Sequence, residues 1–250
     1  MKENGSAKGR VETLNEACSA SEGYCARVFY RLPEAVDYVE IRAKREPLRL
    51  THCAQLTAAE GYVFAPFTLS EQNPFWLIPA DEKIRHKVEI PVTQSPKAER
   101  CEGDTEIKSY ARAFAQCKEM LSDGHLEKIV LSRTATLRMC TPLTAAHRHA
   151  LFLESCHRYP HSFVSLVELP ASYGAWLMAT PEVLVETVTN GFHTMALAGT
   201  SPVSDESKLL LENWSPKNRR EQACVADYIR KHLTALSTEV RESAVYVRRA

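Results

Sequence analysis

Between His161 and Thr200 the chain alternates short apolar, β-branched stretches with turn residues, and no other part of the sequence restricts the fold as strongly. Four stretches stand out, 161–168, 173–179, 183–189 and 192–198, separated by Pro170, Pro181 and the Asn190-Gly191 pair. Runs of this length with such punctuation predict an antiparallel meander. Helical patterns flank it. From Thr105, the residues Ile107, Tyr110, Ala111, Phe114, Cys117 and Leu121 recur at helical spacing, and Gly124 follows as a stop. Thr141-Pro142 predicts the cap and first turn of a helix running to about Arg158, and Ser215-Pro216 opens another to about Leu233. Hairpin-joined strands beside separate helices give an α+β class, antiparallel sheets flanked by helices, rather than a doubly wound sheet.

Ahead of this, residues 1–24 read as a polar lead-in, and Arg27-Val28-Phe29-Tyr30-Arg31 alternates as a strand does. Prolines at 33, 47, 66, 74, 79, 91 and 96 divide 25–104 into short strands and loops, the variable first part of the fold. The sharper pattern of 105–250 is the second part. Within it, Glu127 to Thr134 is rich in β-branched residues and predicts a strand with Lys128, Val130, Ser132 and Thr134 on one face. Ala244 to Arg248 resumes strand character and runs to Ala250 without a polar tail, so the expectation is a chain truncated inside a sheet.

A chain of 250 residues with 44% hydrophobic content can bury a sizeable core. Lysine plus arginine equals aspartate plus glutamate at 31 each, which leaves no global field to hold nucleic acid or an anionic membrane. No apolar run approaches the ~20 residues of a membrane span, and the start, MKENGSAKGR, lacks the apolar stretch of a secretory signal. A cytoplasmic protein is expected. Its cysteines, at 18, 25, 53, 101, 117, 140, 156 and 224, show no zinc-like spacing and read as buried thiols of a reducing compartment.

Four features could carry chemistry. Lys128 lies in an apolar strand, where burial would lower its pKa and make it a usable base; an edge-strand lysine reaching water is the plainer reading. Glu182 follows Thr180-Pro181 at a turn between apolar strands, where a carboxyl with a raised pKa suits a proton donor, although a solvated turn glutamate is the plainer reading. In the helix after Ser215, Lys217, Glu221, Val225, Ile229 and Leu233 form one stripe. Glu221 then points inward as a candidate magnesium ligand, or pairs with Lys217 one turn away. Finally, Ala198-Gly199-Thr200 ends a strand with a glycine where a ligand or a second backbone could approach, or where the chain simply turns.

In this order the four segments, Lys128-Ile129-Val130-Leu131-Ser132-Arg133, Thr180-Pro181-Glu182, Ala196-Leu197-Ala198-Gly199-Thr200 and Lys217-Asn218-Arg219-Arg220-Glu221-Gln222, resemble the chorismate-binding enzymes over roughly 105–250. That family includes isochorismate, salicylate, anthranilate and aminodeoxychorismate synthases. The resemblance implies the isochorismate synthase reaction, a Mg2+-dependent isomerisation feeding menaquinone or siderophore synthesis. It implies Lys128 as the base that activates water and Glu182 as the acid for the departing hydroxyl. Glu221 would be a magnesium ligand, with Ala198, Gly199 and Thr200 lining the chorismate pocket. Amine-transferring members carry glutamine where Lys128 stands, so no glutamine amidotransferase partner is expected. Salicylate synthase, which shares the lysine, is the nearest alternative; anthranilate or aminodeoxychorismate synthase component I is another. Asn218 and Gln222 replace the aspartate and histidine common beside the metal-binding glutamate. A truncated chain would lack the family's second acidic magnesium ligand and its carboxylate-binding arginine and tyrosine, so an inactive fragment is the alternative of another class.

Overall fold

The computed structural model describes residues 23–56, 60–71, 73–89, 98–100, 104–170, 173–203 and 206–249, so nearly all of the lead-in read at 1–24 lies outside it. The strands begin with β1 (Ala26–Arg31), β2 (Asp37–Ala43), β3 (Leu48–Leu50), β4 (Gly61–Phe64), β5 (Phe75–Pro79), β6 (Glu82–Lys87) and β7 (Ala98–Arg100). Helix α1 (Asp104–Ser122), β8 (Leu137–Met139) and helix α2 (Ala145–Arg158) follow. The chain continues through β9 (Phe163–Glu168), β10 (Ala175–Thr180), β11 (Glu186–Val188) and β12 (Gly191–His193) to helix α3 (Pro216–Leu236). The class is α+β with antiparallel strand pairs, as expected. Two compact units divide the chain, one drawn from 1–89 and 164–178, the other from 90–163 and 179–250. No helix among the described residues is long and apolar enough to cross a membrane.

The first unit is built from a five-stranded sheet, β10-β9-β1-β2-β6, and a three-stranded sheet, β3-β5-β4. Register sets Val28 opposite both Ile41 and Val167. Period-two alternation therefore aims these residues, with Ala26 and Ala43, into one apolar layer that Ile78 of β5 completes. Tyr62 Oη meets Ser165 Oγ at 2.8 Å inside this unit. Burial pushes the Tyr62 phenol up, and the Ser165 bond offsets only part of that.

The opposite face of the larger sheet holds a charged cluster that the sequence reading missed. Glu40 is only 2% exposed. Neighbouring strands bring Arg27 Nη2 to 2.8 Å and His86 Nε2 to 2.9 Å from its carboxylate, and Arg42, two residues along the same strand, brings Nε to 2.7 Å. Burial opposes the charge, but hydrogen bonds from Arg42, Arg27 and His86 outweigh it and hold the Glu40 carboxyl at about 2. Tyr38 stacks on His86 with ring centroids 5.0 Å apart, fixing the imidazole from its other side.

In the second unit, α1 ends where expected. Gly124, at φ 71°, lets His125 N donate to Met120 O at 3.0 Å and Gly124 N to Leu121 O at 3.4 Å, the paired bonds of a Schellman stop. Ser215 caps α3, its Oγ accepting from Asn218 N at 3.1 Å, with Pro216 in the first turn. Helix α2 starts three residues later than Thr141-Pro142 suggested. Thr144 is its cap, because Thr144 Oγ1 accepts from His147 N at 3.2 Å while the His147 ring closes back on the Thr144 amide.

Other expectations fail for identifiable reasons. The meander does not run on: β10 belongs to the five-stranded sheet, whereas among the described residues β11 and β12 pair only with each other. Pro181, between β10 and β11, lacks a ladder donor and restrains the residue before it. The strands read at 127–134 and 244–248 are not formed. A β-branched composition makes a strand only where a second strand accepts its hydrogen bonds, and none does so among the described residues. Of the described cysteines only Cys156 is buried, and Cys53 and Cys140 are exposed, so thiol burial was over-read.

Candidate active site

Three segments of the second unit meet at the first turns of α3. The stripe read from the sequence is the better-covered side of the helix: Glu221, Val225, Ile229 and Leu233 are half-buried while Lys217 is exposed. None of α3 is fully buried. Glu221 pairs with Lys128, Nζ to Oε1 at 3.3 Å, instead of the Lys217 considered from spacing alone. Three residues further along the same face, Cys224 Sγ contacts Glu127 Oε2 at 3.9 Å. Glu127 and Lys128 thus lie against successive positions of α3.

Lys128 lies in no strand and is not enclosed, so of the two readings only its reach to water is met. Its side chain is 26% exposed and that of Glu221 35% exposed. A pair this wet adds at most about 1 kcal/mol to stability, so its chemical interest exceeds its structural weight.

The strand-end glycine meets a second backbone. Gly199 has φ 77°, and a Cβ there would sit 2.7 Å from the carbonyl oxygen of Asn218. Asn218 Nδ2 donates to Thr200 O at 3.2 Å, which ties the next residue to the same turn of α3. Ala198 and Gly199 are half-buried and Thr200 is exposed. Gly199→Ala should therefore lower stability by about 2–3 kcal/mol, combining positive-φ strain with a backbone collision. Gly124→Ala, also at positive φ but facing open space, should lose only about 1 kcal/mol. Parallel thermal unfolding checks the gap; equal losses would mean that the Asn218 contact is slack.

Glu182 stands apart. It is exposed, its amide donates to Thr180 Oγ1 at 3.4 Å, and no ion pair engages its carboxylate among the described residues. The apolar enclosure expected for this acid is absent, because the strands meant to flank it do not pair. The structure therefore brings Lys128, Glu221, Gly199 and Thr200 to one helix end and does not bring Glu182 to them through any contact. The roles of Asn218, Glu127 and Cys224 were missed. Only their places beside Glu221 and Lys128 in sequence hinted at them.

Among the described residues, no group of three or more His, Cys, Asp or Glu side chains forms a ready metal cage. The Glu221 carboxylate, half-exposed and held only by Lys128 among the contacts seen, fits as a single oxygen donor to a Mg2+ that keeps most of its waters.

A family model described as chorismate binding enzyme matches residues 72–247, more than half of the chain. No curated protein matches it.

Proposed function

The chain belongs to the chorismate-binding enzyme family, and from that premise we propose that it performs the isochorismate synthase reaction. Lys128 takes a proton from water as the oxygen adds to ring carbon 2. The ring double bonds shift, and Glu182 gives a proton to the hydroxyl leaving carbon 4. One proton is taken and one given, so the sum is an isomerisation. A lysine at 128 favours water over ammonia as the nucleophile. Gly199 and Thr200 line the ring. Glu221 would hold Mg2+, which when bound supplies positive charge for the substrate carboxylate.

The observation that carries this reading is the contact between Lys128 and Glu221, a basic nitrogen and a carboxylate from distant segments placed 3.3 Å apart beside the Gly199-Thr200 turn. Both side chains keep access to solvent, which a water-activating base and a hydrated cation require. A second reading, a chain that binds chorismate without converting it, is favoured by the exposed Glu182, which no apolar wall encloses as an acid.

Incubation of the protein with chorismate, with and without MgCl2, separates the two. Isochorismate that forms only with Mg2+ and without pyruvate is the expected result. Pyruvate in step with product would move the reaction to salicylate synthesis. Saturable chorismate binding with no product would establish the second reading. Glu221→Ala should raise the Mg2+ concentration needed for half-maximal conversion by about 10-fold or more, since a lone anionic donor is lost. An unchanged Mg2+ requirement would leave Glu221 as merely the partner of Lys128.

A further inference from the structure

We propose that Asn218 is a positioning residue that sets the Gly199-Thr200 turn against the end of α3 carrying Glu221, and so shapes the chorismate pocket. The proposal rests on the chorismate reading of the site. Three parts of Asn218 are engaged at once. Its amide nitrogen is capped by Ser215 Oγ at 3.1 Å, which fixes it in the first turn of α3. Its side-chain Nδ2 donates to Thr200 O at 3.2 Å. Its carbonyl oxygen lies where a Cβ on Gly199 would come within 2.7 Å, so the glycine backbone rests directly on it.

Glu221 follows three residues later, on the adjoining turn of the same helix. Asn218 touches the turn while belonging to the helix of the carboxylate. The donor matters as much as the shape. Thr200 O accepts only, and the side-chain nitrogen of Asn218 satisfies it as the donor.

The test uses the whole chain as wild type, Asn218→Ala and Thr144→Ala. Thr144→Ala removes the cap of α2, a different helix, so it reports destabilisation alone. Hydrogen exchange at the amides of 199–201 and chorismate affinity with MgCl2 present are measured for each. Asn218→Ala should speed exchange at 199–201 and weaken chorismate binding by about 5- to 10-fold, the effect of one lost hydrogen bond. Thr144→Ala should leave affinity within about 2-fold, as a surface cap acts on stability.

Unchanged exchange in Asn218→Ala would overturn the tie itself. Faster exchange with unchanged affinity, or an equal loss in Thr144→Ala, would overturn the positioning role. Absence of chorismate binding by the wild type would instead remove the reaction reading, and with it the pocket Asn218 is held to shape; the exchange result would still decide whether the tie exists.

Discussion

Glu40→Gln should lower folding stability by about 3 kcal/mol, near the low end for breaking a buried ion pair. The loss comes from what remains: Arg27 and Arg42 face one another across β1 and β2 with no anion between them, and the neutral amide cannot hold both. Their side chains are 24% and 25% exposed, so water recovers part of the penalty and keeps it from the upper end. The same group makes the wild type acid-sensitive in a defined window. Its carboxyl falls from an ordinary 4.5 to about 2 on folding, so its contribution is complete above 4.5 and is lost as pH falls through 4.5 toward 2. A shift of that size corresponds to about 3 kcal/mol, in line with the substitution. Urea unfolding at neutral pH and across the acid range reads both effects. A variant within about 0.5 kcal/mol of wild type, the ordinary range for surface changes, would show that the cluster carries little of the stability of this sheet.

Lys128→Ala should abolish conversion, by about 100-fold to 10,000-fold, the span of a positioned general base. Chorismate binding should fall far less, because in this reading the amine acts on water while the ring rests on the Gly199-Thr200 turn. Removing a wet ion pair changes stability by at most about 1 kcal/mol, so lost activity would not reflect unfolding. Conversion retained within about tenfold would remove Lys128 from the reaction. Rate and affinity measured on the same preparation distinguish a missing base from a missing pocket.

The ends of helices were the most legible features, because their chemistry is local. Gly124 stops α1 through its positive φ, and Ser215-Pro216 starts α3, both readable without knowing what lies across from them. Features that depend on a partner strand were not legible. Residues 127–134 have the composition of a strand yet form none, and Val130 is 81% exposed. The Glu40 cluster escaped notice because Arg27 and His86 meet it only through the register of β1, β2 and β6, although Arg42 lies two residues along the same strand.

The candidate site divides the same way. Lys128, Glu221, Gly199 and Thr200 could each be picked out by residue type and position. Their mutual contacts could not, since helix spacing pointed to Lys217 and long-range packing supplied Lys128. The glycine was legible as a close-approach position, though not that Asn218 would be the backbone approaching it. Glu182 shows the limit of inferring an acid from its neighbours in sequence. Flanking apolar residues enclose a carboxyl only if their strands pair across it, and Leu184 is instead 86% exposed.

The most direct test of where chorismate is handled is a titration of chorismate and MgCl2 into isotope-labelled protein, followed by proton–nitrogen correlation spectra. Shifts should gather on Lys128, Gly199, Thr200, Asn218 and Glu221, and should be diminished in Glu221→Ala. Saturable shifts confined to the strands of the five-stranded and three-stranded sheets, with 128, 199–200 and 221 unmoved, would contradict a site at the head of α3.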